Sequence, residues 1–330
     1  MDEVININVN KTKKETKDIT KMVNGSIKKN GKANHHSESV AKIIFLVCAV
    51  VAIFAVCSIT IYMFLKGTES LGSVGIADLL FKTVWAPTAA SPSYGIVYII
   101  LSSIVGTTLA ILLGVPIGLL TAVFLTEISN KKLAAIVQPA VELLAAIPSV
   151  IYGLLGLMLL NPLLYKLEKI IFRNSTIHQF TGGANLLAAV LVLAIMILPT
   201  VINMSASAIR AVPMNLRATS LALGATKIQT IFKVVIPAAK SGIITGIVLG
   251  IGRALGEAMA INMVAGGAVN IPLPFNSVRF LTTQIVSEMS YAEGVHRQVL
   301  FTVGLVLYIF IMVINLIITM LQKKGEKNNG

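Results

Sequence analysis

Apolar residues along this chain are gathered into long runs that are separated by shorter polar segments. Each run is long enough to cross a membrane, because about 20 apolar residues span the hydrocarbon core. Pro116 interrupts the second run and Pro148 the third, and prolines inside membrane helices predict kinks. The second run is interpreted as one span followed by a kinked extension. The pattern predicts an all-α integral membrane protein with six transmembrane helices, at about residues 42–64, 95–125, 138–160, 184–206, 241–264 and 298–321.

Composition agrees with this interpretation. Of 330 residues 55% are hydrophobic and 12% are charged, whereas a soluble domain has about 25% charged residues. Cys48 and Cys57 lie in one apolar run, so they indicate neither a disulfide framework nor a metal site. We interpret them as small residues facing lipid or another helix. No metal and no cofactor is expected.

The two ends of the chain are polar. Residues 1–41 are basic and lack apolar periodicity, which predicts a disordered cytoplasmic tail. A tail of this length before the first span argues against a cleaved signal peptide. Residues 42–321 form the predicted membrane domain, with its core at 95–321, and residues 322–330 form a second cytoplasmic tail.

The distribution of Lys and Arg predicts the orientation. If the N-terminus is cytoplasmic, 19 of the 27 basic residues fall on the cytoplasmic side, 7 fall outside and Arg253 lies within a span. Cytoplasmic loops carry the excess of Lys and Arg in membrane proteins. Both termini are therefore predicted to be cytoplasmic in a multi-pass protein of the plasma or inner membrane.

The cytoplasmic loop at 213–240 contains signals for two short helices. Pro213 is placed to open the first helix and Gly224 to end it in a left-handed conformation. Thr226 and Gln229 have the spacing of a capping box at the start of the second, and Pro237 is placed to stop or bend it. An apolar face at helical spacing follows from Ile228, Ile231, Phe232 and Val235.

The residues of this loop leave two interpretations open. The unit is either an amphipathic linker on the lipid headgroups or a docking element for another protein. A DNA-binding helix-turn-helix is disfavoured, because the unit has few basic residues and continues directly into a span. No nucleic-acid partner is expected.

The loop resembles the coupling loop of permease subunits of binding-protein-dependent ABC importers. The resemblance rests on Gly224-Ala225, the aliphatic Val234, and Ile236-Pro237. It implies a type I importer fold in which the loop inserts a short helix into a groove of a separate ATPase subunit. No G-x-x-x-x-G-K-[ST] motif occurs in this chain, so it is not expected to be an enzyme that hydrolyses ATP.

One position of the coupling loop departs from the family pattern. The usual glutamate six residues before the glycine is replaced by Ala218, with Arg217 beside it. The departure removes any salt bridge made through that glutamate, while the glycine-proline frame is kept. The predicted coupling residues are Arg217, Ala218, Ser220, Gly224, Ala225 and Pro237.

Two further stretches resemble the permease of phosphate-specific ABC importers, of the PstC type. They are ELLAAIPSVIYG at 142–153 and GRALGEAMA at 252–260. The resemblance implies a second, homologous permease of the PstA type, ATPase subunits and an extracytoplasmic phosphate-binding protein, with phosphate as the substrate. The outer loops at about 65–94, 161–183 and 265–297 offer a surface for the binding protein.

The fifth span is rich in small residues. Glycines at four-residue spacing predict two faces on which another helix packs closely. One face consists of Gly242, Gly246 and Gly250, and the other of Gly252 and Gly256.

Arg253 and Glu257 are charges within this same span. An arginine near the bilayer centre costs about 2.5–3.5 kcal/mol on insertion scales, and the four-residue spacing predicts that the two side chains share a helical face. They either form an ion pair that fixes helix packing or line the translocation path. A guanidinium matches the oxygens of phosphate, and a nearby carboxylate keeps the anion from being trapped. The resemblance places candidate phosphate-path residues on this motif.

Glu142 is a third charge at the membrane, at the predicted cytoplasmic start of the third span. It either pairs with a cytoplasmic basic residue or forms part of an inner gate.

The predicted function is that of a permease subunit for inorganic phosphate. Three alternatives remain: a permease for another oxyanion such as molybdate or sulfate, a secondary transporter working without an ATPase, and a membrane scaffold for a phosphate-sensing kinase.

Overall fold

The chain is described by a computed structural model over residues 40–327, with side chains described over 40–320. The predicted disordered tail at 1–41 lies outside the described residues except for its last two positions. The chain divides into two compact units, and the boundary between them falls between Tyr62 and Met63.

The described chain is mostly helical. A two-stranded antiparallel hairpin joins strand β1, Trp85–Ala86, to strand β2, Ser93–Tyr94. The helices, in chain order, are α1 Val40–Val74, α2 Ile76–Phe81, α3 Val97–Ile128, α4 Lys131–Ala146, α5 Ser149–Ile171, α6 Leu186–Arg210, α7 Met214–Ala222, α8 Lys227–Ala238, α9 Lys240–Gly256, α10 Met259–Val264, α11 Leu281–Glu288 and α12 Gly294–Lys327.

Five of these helices are long and apolar enough to cross a membrane, and the bent pair α8 and α9 makes up to six in the described residues. The pair bends by 69°, next to the predicted breaking point at Pro237. The six-span prediction is therefore confirmed. The final helix continues to Lys327, into the segment at 322–330 that was predicted as a tail.

The predicted third span, 138–160, is wrong. The chain forms α4 up to Ala146, takes extended backbone at Ile147 (ψ 127°), and starts α5 at Ser149. Pro148 favours this break, because its ring disfavours helical backbone at the preceding residue. The span is α5, which begins where the predicted span was centred and ends at Ile171.

Pro116 has a different effect, because the α-helical segment Val97–Val123 continues through it. That segment widens into a π-helix at Phe124–Ile128, which ends α3. A proline can remain inside a membrane helix when neighbouring groups satisfy the freed carbonyl.

Helix α6 is the most buried of the five single candidate spans. About 67% of its most apolar segment is buried, compared with 33% or less in the other four. It packs closely on α3, since a Cβ atom built at Gly114 would lie 2.7 Å from Ile197 Cδ1. Both helices run in the same direction. The hairpin directly precedes α3 and the loop 213–240 directly follows α6. We call the side of the unit on which both helices begin the hairpin end, and the opposite side the loop end.

Candidate functional site

The two glycine faces of α9 have different surroundings. A Cβ atom at Gly242 would lie 2.5 Å from Ala208 Cβ, and one at Gly246 would lie 2.6 Å from Met204 Cβ. These contacts leave no room for a side chain, so α9 rests directly on α6. Nothing lies within 4 Å of the corresponding positions at Gly252 and Gly256. The second face is open within the described chain.

The predicted helical spacing of Arg253 and Glu257 is wrong. Helix α9 ends at Gly256, and Glu257 has extended backbone (φ −74°, ψ 129°). The two side chains therefore do not lie one turn apart on one helix, and no ion pair joins them in the described residues.

Glu257 has partners of its own. Its Oε1 accepts a hydrogen bond from the backbone N–H of Ala260 at 2.9 Å, and its carbonyl accepts one from Thr282 Oγ1 at 2.7 Å. The first bond satisfies an N–H group in the first turn of α10, which has no acceptor within its helix. Glu257 is buried and joins the start of α10 to α11.

Arg253 stands in a different situation. It is partly exposed and has no hydrogen-bond or ion-pair partner among the described residues. The hydroxyl of Tyr152, near the start of α5, donates instead to the carbonyl of Leu144 at 2.6 Å. The guanidinium therefore retains donors that this chain does not occupy.

A pair of polar residues on α10 and α11 was not predicted from the sequence. Ser287 Oγ on α11 donates to Asn262 Oδ1 on α10 at 2.9 Å, and Asn262 is exposed. The signal was present, because Asn262 is a polar residue inside an apolar run. Its pairing with Ser287, 25 positions away, follows only from the packing of α11 beside α10.

Glu142 lies on α4 and is exposed. Its Oε1 accepts a hydrogen bond from Gln138 Nε2 at 3.3 Å, and Gln138 Oε1 accepts one from Arg210 at the end of α6. The side-chain amide of Gln138 therefore connects Glu142 to the guanidinium of Arg210. Within the described residues, no hydrogen bond connects Glu142 with Arg253 or Glu257.

The loop at 213–240 has the local structure that its sequence predicts. Pro213 precedes α7, and Gly224 has φ 85°. Thr226 and Gln229 form the reciprocal capping box at the start of α8. Ser220 and Thr230 join the two helices by a hydroxyl hydrogen bond of 2.9 Å.

The two helices of the loop differ in burial. In α8, Ile231 and Val235 are buried in a core cluster with residues of α3, α4, α6 and α9. In α7 no residue is buried, and Ala218 is exposed. Met214 and Leu223, at the two ends of α7, are 75% and 83% exposed. Helix α8 holds the loop in place, and α7 presents an uncovered surface that includes apolar side chains.

Arg217 is directed inward from α7. Its Nη1 donates to Glu127 Oε1 at the end of α3, and its Nη2 donates to the carbonyl of Ile209 at 2.8 Å. Both side chains of the ion pair are mostly covered. The role of Glu127 could not be predicted from the sequence, because 90 positions separate it from Arg217.

A second charge cluster lies at the hairpin end. The buried carboxylate of Glu288 accepts hydrogen bonds from Trp85 Nε1 at 3.0 Å and from His296 Nε2 at 2.8 Å, and it pairs with Arg279. Arg279 Nε also donates to the carbonyl of Gly267 at 2.6 Å. The cluster thereby joins the hairpin, the segment before α11, and α12. It borders a cavity of about 630 Å³.

A third buried acid, Glu168, lies in α5. Its Oε1 accepts hydrogen bonds from His178 Nε2 at 2.8 Å and from the backbone N–H of Thr181 at 2.9 Å. His178 and Thr181 also line a cavity of about 690 Å³ with residues of the segment 268–277. In the described residues, no group of three or more His, Cys, Asp or Glu side chains is arranged to hold a metal ion.

Comparison with known proteins agrees with this architecture. Residues 114–327 match the family model of the binding-protein-dependent transport system inner membrane component. The chain is 38% identical over 290 residues to a probable ABC transporter permease, YqgH, of Bacillus subtilis, covering 86% of this chain and 91% of the relative. It is 34% identical to the phosphate transport system permease protein PstC of Pasteurella multocida, covering 79% and 84%.

Solved structures show the same fold at low sequence identity. A bacterial alginate ABC transporter, in complex with an alginate-bound periplasmic protein, matches with a TM-score of 0.52 and 17% identity, covering 82% of this chain and 92% of that chain. The candidate spans, the loop helices α7 and α8, and the family match together define a type I ABC importer permease, a membrane transport subunit rather than an enzyme. The chain belongs to the family of binding-protein-dependent transport system inner membrane components.

Proposed function

We propose that this chain is a permease subunit of an ATP-driven importer of inorganic phosphate. The observation that carries the proposal concerns Arg253, which lies beside the open glycine face of α9. Its guanidinium has no hydrogen-bond or ion-pair partner among the described residues. A charged group in a membrane span is costly and is normally paired. Because no described residue of this chain pairs with Arg253, its partner is a passing anion or a group of another subunit.

The chemistry of Arg253 suits an oxyanion. The guanidinium offers forked donors that match phosphate oxygens. Glu257, only four residues away, is bonded to Ala260, so it leaves the arginine's donors free. The phosphate transport permeases among the relatives support phosphate over other anions.

The open face of α9 and the exposed Asn262 support a path formed with a second permease chain. We propose a homologous subunit of the PstA type in this position. In that arrangement Gly252 and Gly256 permit the close approach of a partner helix or of the substrate.

The exposed helix α7 supports docking to an ATPase subunit. Its surface is uncovered while α8 is anchored, which is the arrangement that a docking element requires. The loop end then faces the cytoplasm together with both termini, and the hairpin end faces the binding protein. ATP binding and hydrolysis shift the paired permeases between outward- and inward-facing states, while this chain makes and breaks no covalent bond.

Reconstitution tests this function. The complex of both permeases and the ATPase is placed in proteoliposomes with the binding protein, and uptake of labelled phosphate, molybdate and sulfate is measured with and without ATP. We expect ATP-dependent uptake of phosphate. Uptake of molybdate or sulfate without uptake of phosphate would show that the substrate is another oxyanion. Uptake by the permeases in the absence of the ATPase would indicate secondary transport instead of ATP-driven import.

A further inference from the structure

Helix α7 carries one charged residue, and that residue does not point toward the proposed ATPase. Among the nine residues of Met214–Ala222 only Arg217 is charged. Its side chain is 16% exposed, whereas the helix that carries it has no buried residue. The charge is therefore used for contacts inside the permease.

The two partners of Arg217 belong to different helices. Glu127 lies in the last turn of α3, and Ile209 lies in the last turn of α6. One planar guanidinium donates to both, which fixes its distance and direction to each. Ser220 binds α7 to Thr230 of α8, but neither of those residues reaches α3 or α6 by a hydrogen bond in the described chain.

The ends of α3 and α6 are well placed to carry a displacement onward. The two helices pack against each other along their length, and α6 in turn supports the glycine face of α9 that precedes Arg253. Glu127 also sits in a π-helical turn, Phe124–Ile128. Such turns occur as local insertions in α-helices and are frequent at functional sites.

We propose that Arg217 is the positioning residue that transmits movement of α7 to α3 and α6. The inference rests on the proposed function, since it requires that an ATPase moves α7. The Arg217–Glu127 pair acts within the permease, so its loss separates ATP hydrolysis from transport without removing the ATPase from α7.

The test uses the reconstituted complex carrying Arg217→Gln, Glu127→Gln or both. Three quantities are measured: co-purification of the ATPase, the rate of ATP hydrolysis, and phosphate taken up per ATP hydrolysed. We expect normal co-purification and a fall of at least about fivefold in uptake per ATP for each single variant, the lower end of couplings between distant sites. The double variant is expected to be no worse than either single one, because both remove the same interaction.

Two further variants separate this role from general damage. Arg217→Lys retains the positive charge but loses the planar guanidinium that donates to two acceptors at once. We therefore expect its uptake per ATP to lie between those of the wild type and Arg217→Gln. Lys132→Gln removes an exposed cation at the start of α4, at the loop end, and is expected to leave the ratio unchanged.

Several outcomes would overturn the inference. An unchanged ratio in Glu127→Gln would remove the pair from the transmission path. Loss of ATPase binding in Arg217→Gln with normal binding in Glu127→Gln would show that Arg217 contacts the ATPase directly. If Glu127→Gln fails to assemble, Glu127→Asp replaces it in the test. Because aspartate retains the negative charge, Glu127→Asp should give a higher uptake per ATP than Arg217→Gln. A value no higher than that of Arg217→Gln would also contradict the inference. A wild-type complex without ATP-dependent phosphate uptake would instead contradict the proposed function itself.

Discussion

Arg279 and Arg253 are two arginines of one chain with opposite surroundings. Arg279, at the hairpin end, donates to Glu288, Gln284 and the carbonyl of Gly267. Arg253, in α9, has no such partner among the described residues. The first arginine joins the segment around Gly267 to α11. The second retains the capacity to bind something outside its own chain.

This difference distinguishes a charge that stabilises the fold from one that we propose binds a group outside the chain. A charge whose partners lie within the chain stabilises the fold, and removal of one partner leaves the other buried and unpaired. A charge without an internal partner contributes little to the fold, so its removal changes what the protein binds. Substitutions at residues of both kinds test this distinction, and the expected effects decrease from Glu288 to Glu257.

The largest effect on stability is expected at Glu288. Glu288→Ala leaves Arg279 without its carboxylate and also removes the acceptor of Trp85 and His296. Breaking a buried charge pair costs about 3–5 kcal/mol in free energy of unfolding, and thermal unfolding of the purified complex in detergent measures it. Asp78→Ala breaks an exposed pair with Lys82 and serves as the control with little effect. Equal effects of the two variants would contradict a structural role for the Glu288 cluster.

The largest effect on transport is expected at Arg253. Arg253→Gln should lower phosphate uptake about 100-fold, corresponding to the loss of roughly 3 kcal/mol from a desolvated charge contact. Thermal unfolding should change little, because no described side chain loses a bond. Uptake in proteoliposomes measures the first quantity. Normal uptake in a destabilised Arg253→Gln protein would assign this arginine to the structural class instead.

The two glycine faces of α9 allow a matched comparison. Gly246→Leu places a side chain where a single Cβ atom would already lie 2.6 Å from Met204 Cβ, and overpacking of this kind costs about 1–3 kcal/mol or more. Gly252→Leu meets nothing within 4 Å of its Cβ atom, so the folded subunit should persist. Gly252→Leu should instead weaken co-purification of the second permease. Loss of the folded subunit in both variants would show that the second face also packs within this chain.

The smallest effect is expected at Glu257. Glu257→Ala removes the acceptor of the Ala260 N–H, which by analogy with helix caps lowers stability by about 1 kcal/mol. Glu257→Gln retains an acceptor oxygen and should be nearly neutral in thermal unfolding. A Gln variant as unstable as the Ala variant would indicate that the negative charge of Glu257, rather than its hydrogen bond, is what the site requires.

Local signals in the sequence identified most of the elements around the site. The proline, glycine and capping-box residues of the loop at 213–240 predicted α7 and α8 correctly, because each acts on its own backbone or on neighbours within three residues. The third span was misplaced for a related reason. Pro148 was interpreted as a kink inside a span, whereas its local effect on Ile147 ended one helix and began another.

The pairing of charges could not be derived in this way. Spacing along the chain suggested Arg253 with Glu257, and that inference failed because it assumed an unbroken helix past Gly256. Exposed pairs such as Asp78 with Lys82 do follow helical spacing. The more buried pairs do not: Arg217 meets Glu127 across 90 positions, and Arg279 reaches Glu288 from the segment before α11.

By itself the sequence determined the membrane-embedded helical class, the number of spans, the structure of the loop at 213–240 and the presence of charges within apolar segments. These properties depend on hydrophobic length, backbone restrictions and capping, which act over a few residues or one helix. Only the tertiary structure decided which acids satisfy which arginines and which glycine face is covered. Those outcomes depend on how separate elements pack together, and a side chain is left without a partner only when no packed neighbour reaches it.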